Sequence, residues 1–411
     1  MIGGIIGIAL LFIIGYMARP WYIGKYNSLN QVYTYGMLFR IFGTTAYIIY
    51  AIYFSGGAVD AFVYDNYAAV FAEYFMNGDL SPFTNERLWR GGQLFYTNFV
   101  AYPAAIFMIV TFNSMFGIYL LFSLVCFLGL VYMLKSFANN YPQVEFRKLS
   151  MLLFYFPALW FWTSTIGKDA FMFLGLGLVC YGITDKKLNY IRIALGIAIT
   201  YAFRPPAAYM VIIAMAAFFI INVKDSFFAK TAKIVVGVVI LIFIMNYLSA
   251  KWGIEDLSSE SISELQSGTL RNNNYGSGAL EQKSGGLSSI PRGVIDVLAR
   301  PFIWEGTNPL ALASSLEINF VLFLLYTNRR SVSAFLRESL RHRLSTFILA
   351  FLAIYVLSVG LFENNIGLIA RHRAIIFPFL FIMAYGYYHT PRRAVVKPKN
   401  KTSEESLVHE A

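Results

Sequence analysis

Acidic and basic side chains gather in a few short polar segments of an otherwise apolar chain. The first segment carries Asp65 and Tyr67, and the second reads Thr-Ser-Thr-Ile-Gly before Lys168 and Asp169. A carboxylate within hydrogen-bond reach can take the proton that a nucleophilic hydroxyl loses during a transfer reaction. Asp65 and Asp169 are therefore the candidate catalytic residues.

The cations of these segments are candidates for binding phosphate. Guanidinium groups bind phosphate oxygens in pairs and stabilise the charge that develops on a leaving group. Two arginines follow Glu363 before the last apolar run, and we expect other arginines beside prolines to join them. The predicted phosphate-binding residues are Lys168, Arg204, Arg300, Arg371 and Arg373. Glu305 and Glu363 are expected to orient these arginines or to bind sugar hydroxyls.

Each segment also has a structural interpretation, which the sequence leaves open. Asp65 could cap the N-terminus of a short surface helix, and Asp169 could do the same, since helix N-termini favour acids. The tryptophans before Lys168 could be ordinary interfacial anchors. Arginines at the membrane boundary could contact lipid headgroups.

Apolar runs recur along almost the whole chain and predict membrane-spanning helices, whose ends would position these residues. Hydrophobic residues make up 58% and charged residues 13% of the 411 residues, whereas a soluble domain has about 25% charged residues. We therefore predict an all-α polytopic membrane bundle of about eleven spans within a single domain, residues 1–390. The predicted spans are Ile2–Ala18, Met37–Phe54, Met115–Leu134, Leu149–Ser164, Asp169–Ile183, Tyr190–Phe203, Pro205–Ile221, Thr231–Leu248, Pro309–Tyr326, Thr346–Phe362 and Ala374–Tyr388.

The basic segments predict how the chain is oriented. The net charge is +11, and positive charge beside apolar spans is typical of cytoplasmic loops. Residues 329–343 and a basic, disordered tail at 391–411 are therefore placed inside, and no nucleic-acid partner is expected. Loops 57–114 and 249–308 then lie outside, provided that Phe99–Asn113 is a half-inserted outer helix and not a span.

The long loop 249–308 divides into two parts. Its first part is polar and glycine-rich and is expected to be mobile. Its second part, Ile290–Trp304, is apolar again and is expected to pack back on the bundle. The two cysteines lie inside apolar runs and support no disulfide framework.

The first outer loop resembles that of the C-type membrane glycosyltransferases, which use polyprenyl-phosphate sugar donors on the outer face. The matching residues, in the family's order, are Asp65, Tyr67, Gly78, Asp79, Pro103, Phe116 and Gly117. The resemblance implies that Asp65 is the base or positions the acceptor, and that Tyr67 belongs to the substrate site. Asn66 stands where the family often has a second acid, so no cofactor is assigned, and a divalent metal at Asp65 stays an open possibility.

The size, the long outer loops and the outer arginines also resemble those of bacterial O-antigen polymerases. Both resemblances imply transfer of a saccharide from a polyprenyl phosphate or diphosphate carrier to a glycan or lipid acceptor, in the inner membrane of a bacterium. Membrane lipid is the remaining expected partner. The alternative is a transporter or flippase of lipid-linked saccharides, which would carry ionisable groups deep in its spans and broken helices. The predicted spans are nearly free of charge, which favours the enzyme.

Overall fold

The described part of the chain is built of helices joined by short connections, with no strand among them. The computed structural model describes residues 2–23, 29–55, 59–89, 98–183, 188–221, 231, 286–306, 308–339, 341–363 and 365–387. The predicted all-α class is confirmed for these residues. The predicted span Thr231–Leu248 beyond its first residue, the first part of loop 249–308 and the tail 391–411 lie outside them.

The α-helices are numbered in chain order. They are α1 Ile2–Ile23, α2 Asn30–Ile49, α3 Asp60–Met76, α4 Ala101–Val110, α5 Met115–Asn140, α6 Phe146–Tyr155, α7 Pro157–Phe161, α8 Lys168–Gly182, α9 Tyr190–Phe203, α10 Pro205–Ile221, α11 Ile290–Leu298, α12 Pro309–Thr327, α13 Arg329–Glu338, α14 Arg343–Phe362, α15 Ile366–Arg373 and α16 Phe377–Tyr385. A π-helical turn, Tyr50–Phe54, extends α2.

Five helices of the described chain are long and apolar enough to cross a membrane. A sixth crossing is possible if α15 and α16, which meet at an angle of 50°, form one broken span. The candidate spans are Ile2–Pro20, Asn30–Phe54, Met115–Asn140, Pro309–Thr327 and Arg343–Phe362. The described residues are therefore all-helical, with five or six candidate membrane spans by length and composition, while α9 and α10 are shorter apolar helices.

The predicted span Leu149–Ser164 is broken in the structure. Helix α6 ends at Tyr155, and Phe156 is extended, with φ −67° and ψ 125°. Pro157 then begins α7. The break follows from the proline ring, which disfavours helical geometry in the residue before it and is tolerated in the first turn of a new helix.

Helix α5 lies at the centre of the described bundle and fixes α8. A Cβ atom on Gly129 of α5 would lie 2.5 Å from the backbone of Phe173, and one on Gly177 would lie 2.3 Å from the carbonyl oxygen of Gly129. The two backbones touch because small residues line the contact. The N-terminus of α8, which carries Lys168 and Asp169, is thereby held against a rigid element.

Helix α3 packs against α4 outside the central helices. Tyr102 of α4 stacks on Phe83 with ring centroids 4.6 Å apart and packs against Phe71 of α3 at 5.0 Å. The Tyr102 hydroxyl also donates to the carbonyl of Pro82 at 2.7 Å. These contacts tie the helix that carries Asp65 to α4.

The expectation that the spans are nearly free of charge is wrong at Arg40. This arginine lies in α2 and is fully buried, with 0% of its surface exposed. Its Nη1 donates to the Leu159 carbonyl at 3.1 Å and to the Thr163 hydroxyl at 3.0 Å. The sequence alone gave no sign of these partners, which come from α7 and the segment after it.

Candidate functional site

Asp169 joins two arginines from distant parts of the chain. It lies in the first turn of α8, after the extended N-cap residue Gly167. Its Oδ1 accepts a hydrogen bond from Nη2 of Arg204 at 2.6 Å, and its Oδ2 accepts one from Nε of Arg371 at 2.6 Å. Only 3% of Asp169 is exposed, so both ion pairs are shielded from solvent.

Two helix ends place these arginines. Arg204 follows the last residue of α9, immediately before Pro205, and has a non-helical backbone with φ −142° and ψ 78°. Arg371 lies in the last turn of α15. Helices α8, α9 and α15 thus meet at one end of the structure, and we name Lys168, Asp169, Arg204 and Arg371 the Asp169 cluster.

Helix α3 reaches the Asp169 cluster through two contacts. Nη1 of Arg371 lies 3.5 Å from Oδ2 of Asp60, the first residue of α3. Nζ of Lys168 lies 5.8 Å from the ring centroid of Tyr64. Lys168 is buried, and the positive charges of Arg204 and Arg371 repel its ammonium group.

Asp65 lies in the middle of α3 and does not cap it, which excludes the helix-cap interpretation for this residue. Burial raises the pKa of its carboxyl group above the ordinary value. Its Oδ1 is buried and has no hydrogen-bond partner among the described residues. Such an atom costs about 1–3 kcal/mol until a partner reaches it.

Two further buried oxygens without partners lie beside Asp65. Tyr119, at the start of α5, interacts electrostatically with Asp65 and adjoins Thr165. The hydroxyl groups of Tyr119 and Thr165 are buried, and neither makes a well-formed hydrogen bond with another described residue, although Thr165 adjoins the side chains of both Tyr47 and Tyr119. Buried polar groups are normally satisfied, so Asp65, Tyr119 and Thr165, which we name the Asp65 pocket, indicate a place for a polar ligand.

Aromatic rings adjoin this pocket. The ring of Tyr47 lies 6.1 Å from that of Tyr119 and 5.3 Å from that of Phe161, and Tyr50 lies 5.6 Å from Phe161. Tyr47 also interacts electrostatically with Arg371. The Asp65 pocket, the aromatic rings and the Asp169 cluster therefore adjoin one another.

Three predicted residues form a separate group. Nε of Arg300 lies 3.0 Å from both carboxylate oxygens of Glu305, and its Nη1 lies 3.1 Å from Asp296. The hydrogen bonds from Arg300 lower the pKa of Glu305. Arg373 is buried and donates to the carbonyl of Val297 and to the Ser314 hydroxyl, as well as to the carbonyl of Arg300.

The expectation that Arg300 and Arg373 join Arg371 is therefore wrong in the described structure. Residues two apart on a helix point about 200° from each other. Arg371 and Arg373 consequently leave opposite sides of α15, one toward Asp169 and the other toward Ser314. Arg373 holds backbone carbonyls and is not available to a phosphate.

The two remaining predicted residues lie near the Asp169 cluster without joining it. Oε1 of Glu363 lies 3.5 Å from Nδ1 of His372, the neighbour of Arg371. Tyr67 is half-buried against the core, two residues beyond Asp65 on α3 and so on a different side of that helix.

The structure adds residues that were not among the predicted site residues, although most of them lie in the same polar segments: Asp60, Tyr64, Tyr119, Thr165 and His372. Asp60 and Tyr64 are one helical turn apart, and that spacing places them on one face of α3. Such a face could be recognised only once the segment was known to be helical. Tyr119 is one of many aromatic residues in an apolar run, and nothing in its local sequence distinguishes it.

No group of three or more histidine, cysteine, aspartate or glutamate side chains that could hold a metal ion occurs in the described ranges. The fold is that of a helical membrane protein with several candidate spans. Comparisons with protein-family models, with curated protein sequences and with solved structures found no match. The functional interpretation consequently rests on the side chains themselves.

Proposed function

We propose that this protein is a membrane glycosyltransferase or polysaccharide polymerase that moves a saccharide from a polyprenyl phosphate or diphosphate carrier to a glycan or lipid acceptor. The observation that carries the proposal is the convergence of Arg204 and Arg371 on the single buried carboxylate of Asp169, next to the buried Lys168. Three cations lie around one fully paired, buried acid, and Asp60, which also contacts Arg371, is exposed. The excess positive charge favours a phosphate or diphosphate group.

The Asp65 pocket supplies what the acceptor side of this reaction requires. Asp65 accepts the proton of the attacking hydroxyl, because its carboxylate lacks a partner and its raised pKa makes it a stronger base. The hydroxyls of Tyr119 and Thr165 bind further sugar hydroxyls. The rings of Tyr47 and Tyr50 offer flat apolar surfaces to a saccharide ring.

The membrane arrangement belongs to the same proposal. The chain threads about eleven times through a bacterial inner membrane, with the shorter helices α8, α9 and α10 counted as spans. The Asp169 cluster and the Asp65 pocket then face outward, where lipid-linked donors are used. The resemblance of the first outer loop to C-type glycosyltransferases supports this arrangement.

Binding of the carrier is the first test. Native mass spectrometry of the purified protein in detergent measures the affinity for polyprenyl diphosphate, with phosphatidylglycerol as the comparison lipid. We expect Lys168→Met to weaken carrier binding about tenfold or more, because a hydrogen bond to a charged group contributes about 1.5–3 kcal/mol. Arg341→Gln is the matched control, since that side chain is 77% exposed.

Transfer is the second test. Lipid-linked saccharides carrying a radioactive sugar are incubated with proteoliposomes, and label in products larger than the donor is measured. We expect Asp65→Asn to abolish transfer while carrier binding stays within twofold of that of the unmodified protein. Unchanged carrier affinity in Lys168→Met, together with full transfer by Asp65→Asn, would reject the proposal.

Two observations favour the alternative of a transporter or flippase for lipid-linked saccharides. Arg40 is an ionisable group buried in a candidate span, and α15 and α16 form a helix pair bent by 50°. Both features occur in transporters. Movement of labelled lipid-linked saccharide across proteoliposomes, with no change in its mass, would favour this alternative.

A further inference from the structure

Arg40 is a buried cation that the proposed transfer does not use. It lies in the candidate span Asn30–Phe54 and is fully enclosed. Its hydrogen-bond acceptors are a carbonyl and a hydroxyl, both neutral. The guanidinium also adjoins the Cys126 thiol and lies over the Phe127 ring, and no acidic side chain pairs with it in the described part of the chain. An uncompensated charge in a membrane interior is costly and is by default a sign of function.

The free edge of the Arg40 guanidinium has a specific geometry. Nη1 makes both hydrogen bonds, whereas Nε and Nη2 are buried without a partner among the described residues. The N–H groups of Nε and Nη2 point in the same direction along one edge of the planar group. This edge is the fork with which arginine binds anions at two points.

A third donor comes from the same helix. Thr44 lies one turn after Arg40, so both side chains are on the same face of α2. The Thr44 hydroxyl is fully buried and, like the free edge of Arg40, has no hydrogen-bond partner among the described residues. Three buried donors on one helix face therefore lack an acceptor.

We propose that Arg40 and Thr44 bind a small inorganic anion of the halide class, with chloride as the natural ligand. A monovalent anion neutralises the guanidinium and accepts hydrogen bonds from Nε, Nη2 and the Thr44 hydroxyl. Packing around Gly43 favours a single-atom anion over phosphate, because a Cβ atom there would lie 2.9 Å from the Trp160 ring and 3.0 Å from Oγ of Ser164. This site is independent of the proposed transfer.

A halide titration tests the site. The thermal unfolding midpoint of the full-length protein in detergent is measured against rising sodium bromide or chloride, with sodium gluconate keeping the ionic strength constant. We expect the midpoint to rise with halide and to saturate, since a ligand that binds only the folded state stabilises it. Arg40→Gln should lose this rise, whereas the exposed control Arg341→Gln should keep it.

Thr44→Val provides a second measurement that does not depend on the folding of Arg40→Gln. Removing one hydroxyl donor to a charged ligand should raise the half-saturating halide concentration about tenfold. Three results would overturn the proposal. One is an equal rise of the midpoint when sodium gluconate alone is added. Another is an unchanged halide response in both Arg40→Gln and Thr44→Val, and the third is a response that is lost in Lys168→Met instead. The last result would place the halide in the Asp169 cluster.

Discussion

The replacement Asp169→Asn tests the central ion pairs of the structure most directly. Asparagine keeps the shape of the side chain but removes the charge that both Arg204 and Arg371 use, at 2.6 Å each. Breaking a buried ion pair by removing one partner costs about 3–5 kcal/mol, because the remaining charge is left uncompensated. Here two guanidinium groups and the Lys168 ammonium remain together, so we expect a loss in this range.

The measurement is the free energy of unfolding of the purified protein in mixed micelles. Asp60→Asn is the matched control, because Asp60 meets the same arginine at 3.5 Å but its side chain is 67% exposed. An exposed pair contributes about 0–1 kcal/mol, so the control should lose no more than that. Equal losses in the two variants would refute the reasoning.

A double variant separates the ion pair from general damage. Asp169→Asn leaves the Arg371 guanidinium without its acid, and Arg371→Gln takes one of the two cations from Asp169. The double variant Asp169→Asn with Arg371→Gln removes both charges of this pair. We expect the double variant to lose about 1–3 kcal/mol less than the sum of the two single losses. Simple additivity would show that Asp169 and Arg371 do not stabilise each other.

Three further predictions concern Asp65, Arg373 and Gly129. Burial raises the pKa of Asp65. The wild-type free energy of unfolding should therefore fall as the pH rises through the interval between the unfolded and folded pKa values of this carboxyl group. Asp65→Asn should remove this slope in a pH series of unfolding titrations, and it should also abolish transfer. Arg373→Met should cost about 3–5 kcal/mol of unfolding free energy, because it leaves the buried carbonyls of Val297 and Arg300 without their donor. Gly129→Ala should lower the thermal unfolding midpoint, with a loss of about 1–3 kcal/mol, because the new methyl group meets the backbone of α8.

Some site residues could be predicted from the sequence because their place in the fold depends only on neighbouring residues. Lys168 and Asp169 end a short polar segment between two apolar runs, and the structure places both at the start of α8, buried. Arg204 precedes two prolines, which end one helix and begin the next. In these cases the hydropathy change and the proline both act within a few residues, so no tertiary information was needed.

The grouping of the arginines could not be predicted in the same way. The sequence places Arg371 and Arg373 just before the last apolar run and predicts that both bind phosphate. Both lie in the separate helix α15, and the helical rotation directs the two guanidinium groups to different sides. Likewise, Arg40 obtains its hydrogen bonds from a carbonyl and a hydroxyl about 120 residues away in the chain, so no local pattern indicates them.

The contacts of α3 constrain how often the chain crosses the membrane. Asp60 contacts Arg371, which binds Asp169, so Asp60 and Asp169 lie at the same end of the structure. Between these two aspartates the chain forms α3, which is not among the candidate spans, and then α4, α5 and the broken pair α6 and α7. Only an even number of crossings returns a chain to the same side, so α4 does not cross if α5 and the broken pair both do.

The length of α4 agrees with this count. Ala101–Val110 has 10 residues, which extend about 15 Å at 1.5 Å per residue, half of the roughly 30 Å hydrocarbon core. A crossing at α4 would also separate Tyr64 from Lys168 and Asp60 from Arg371. If α5 and the broken pair both cross, the Asp60–Arg371 contact and the Asp169 ion pairs predict that α3 and the Asp169 cluster share one side of the membrane. Single cysteines introduced at Asn66 and Asn85 should then be labelled from the same side as one introduced at Glu363.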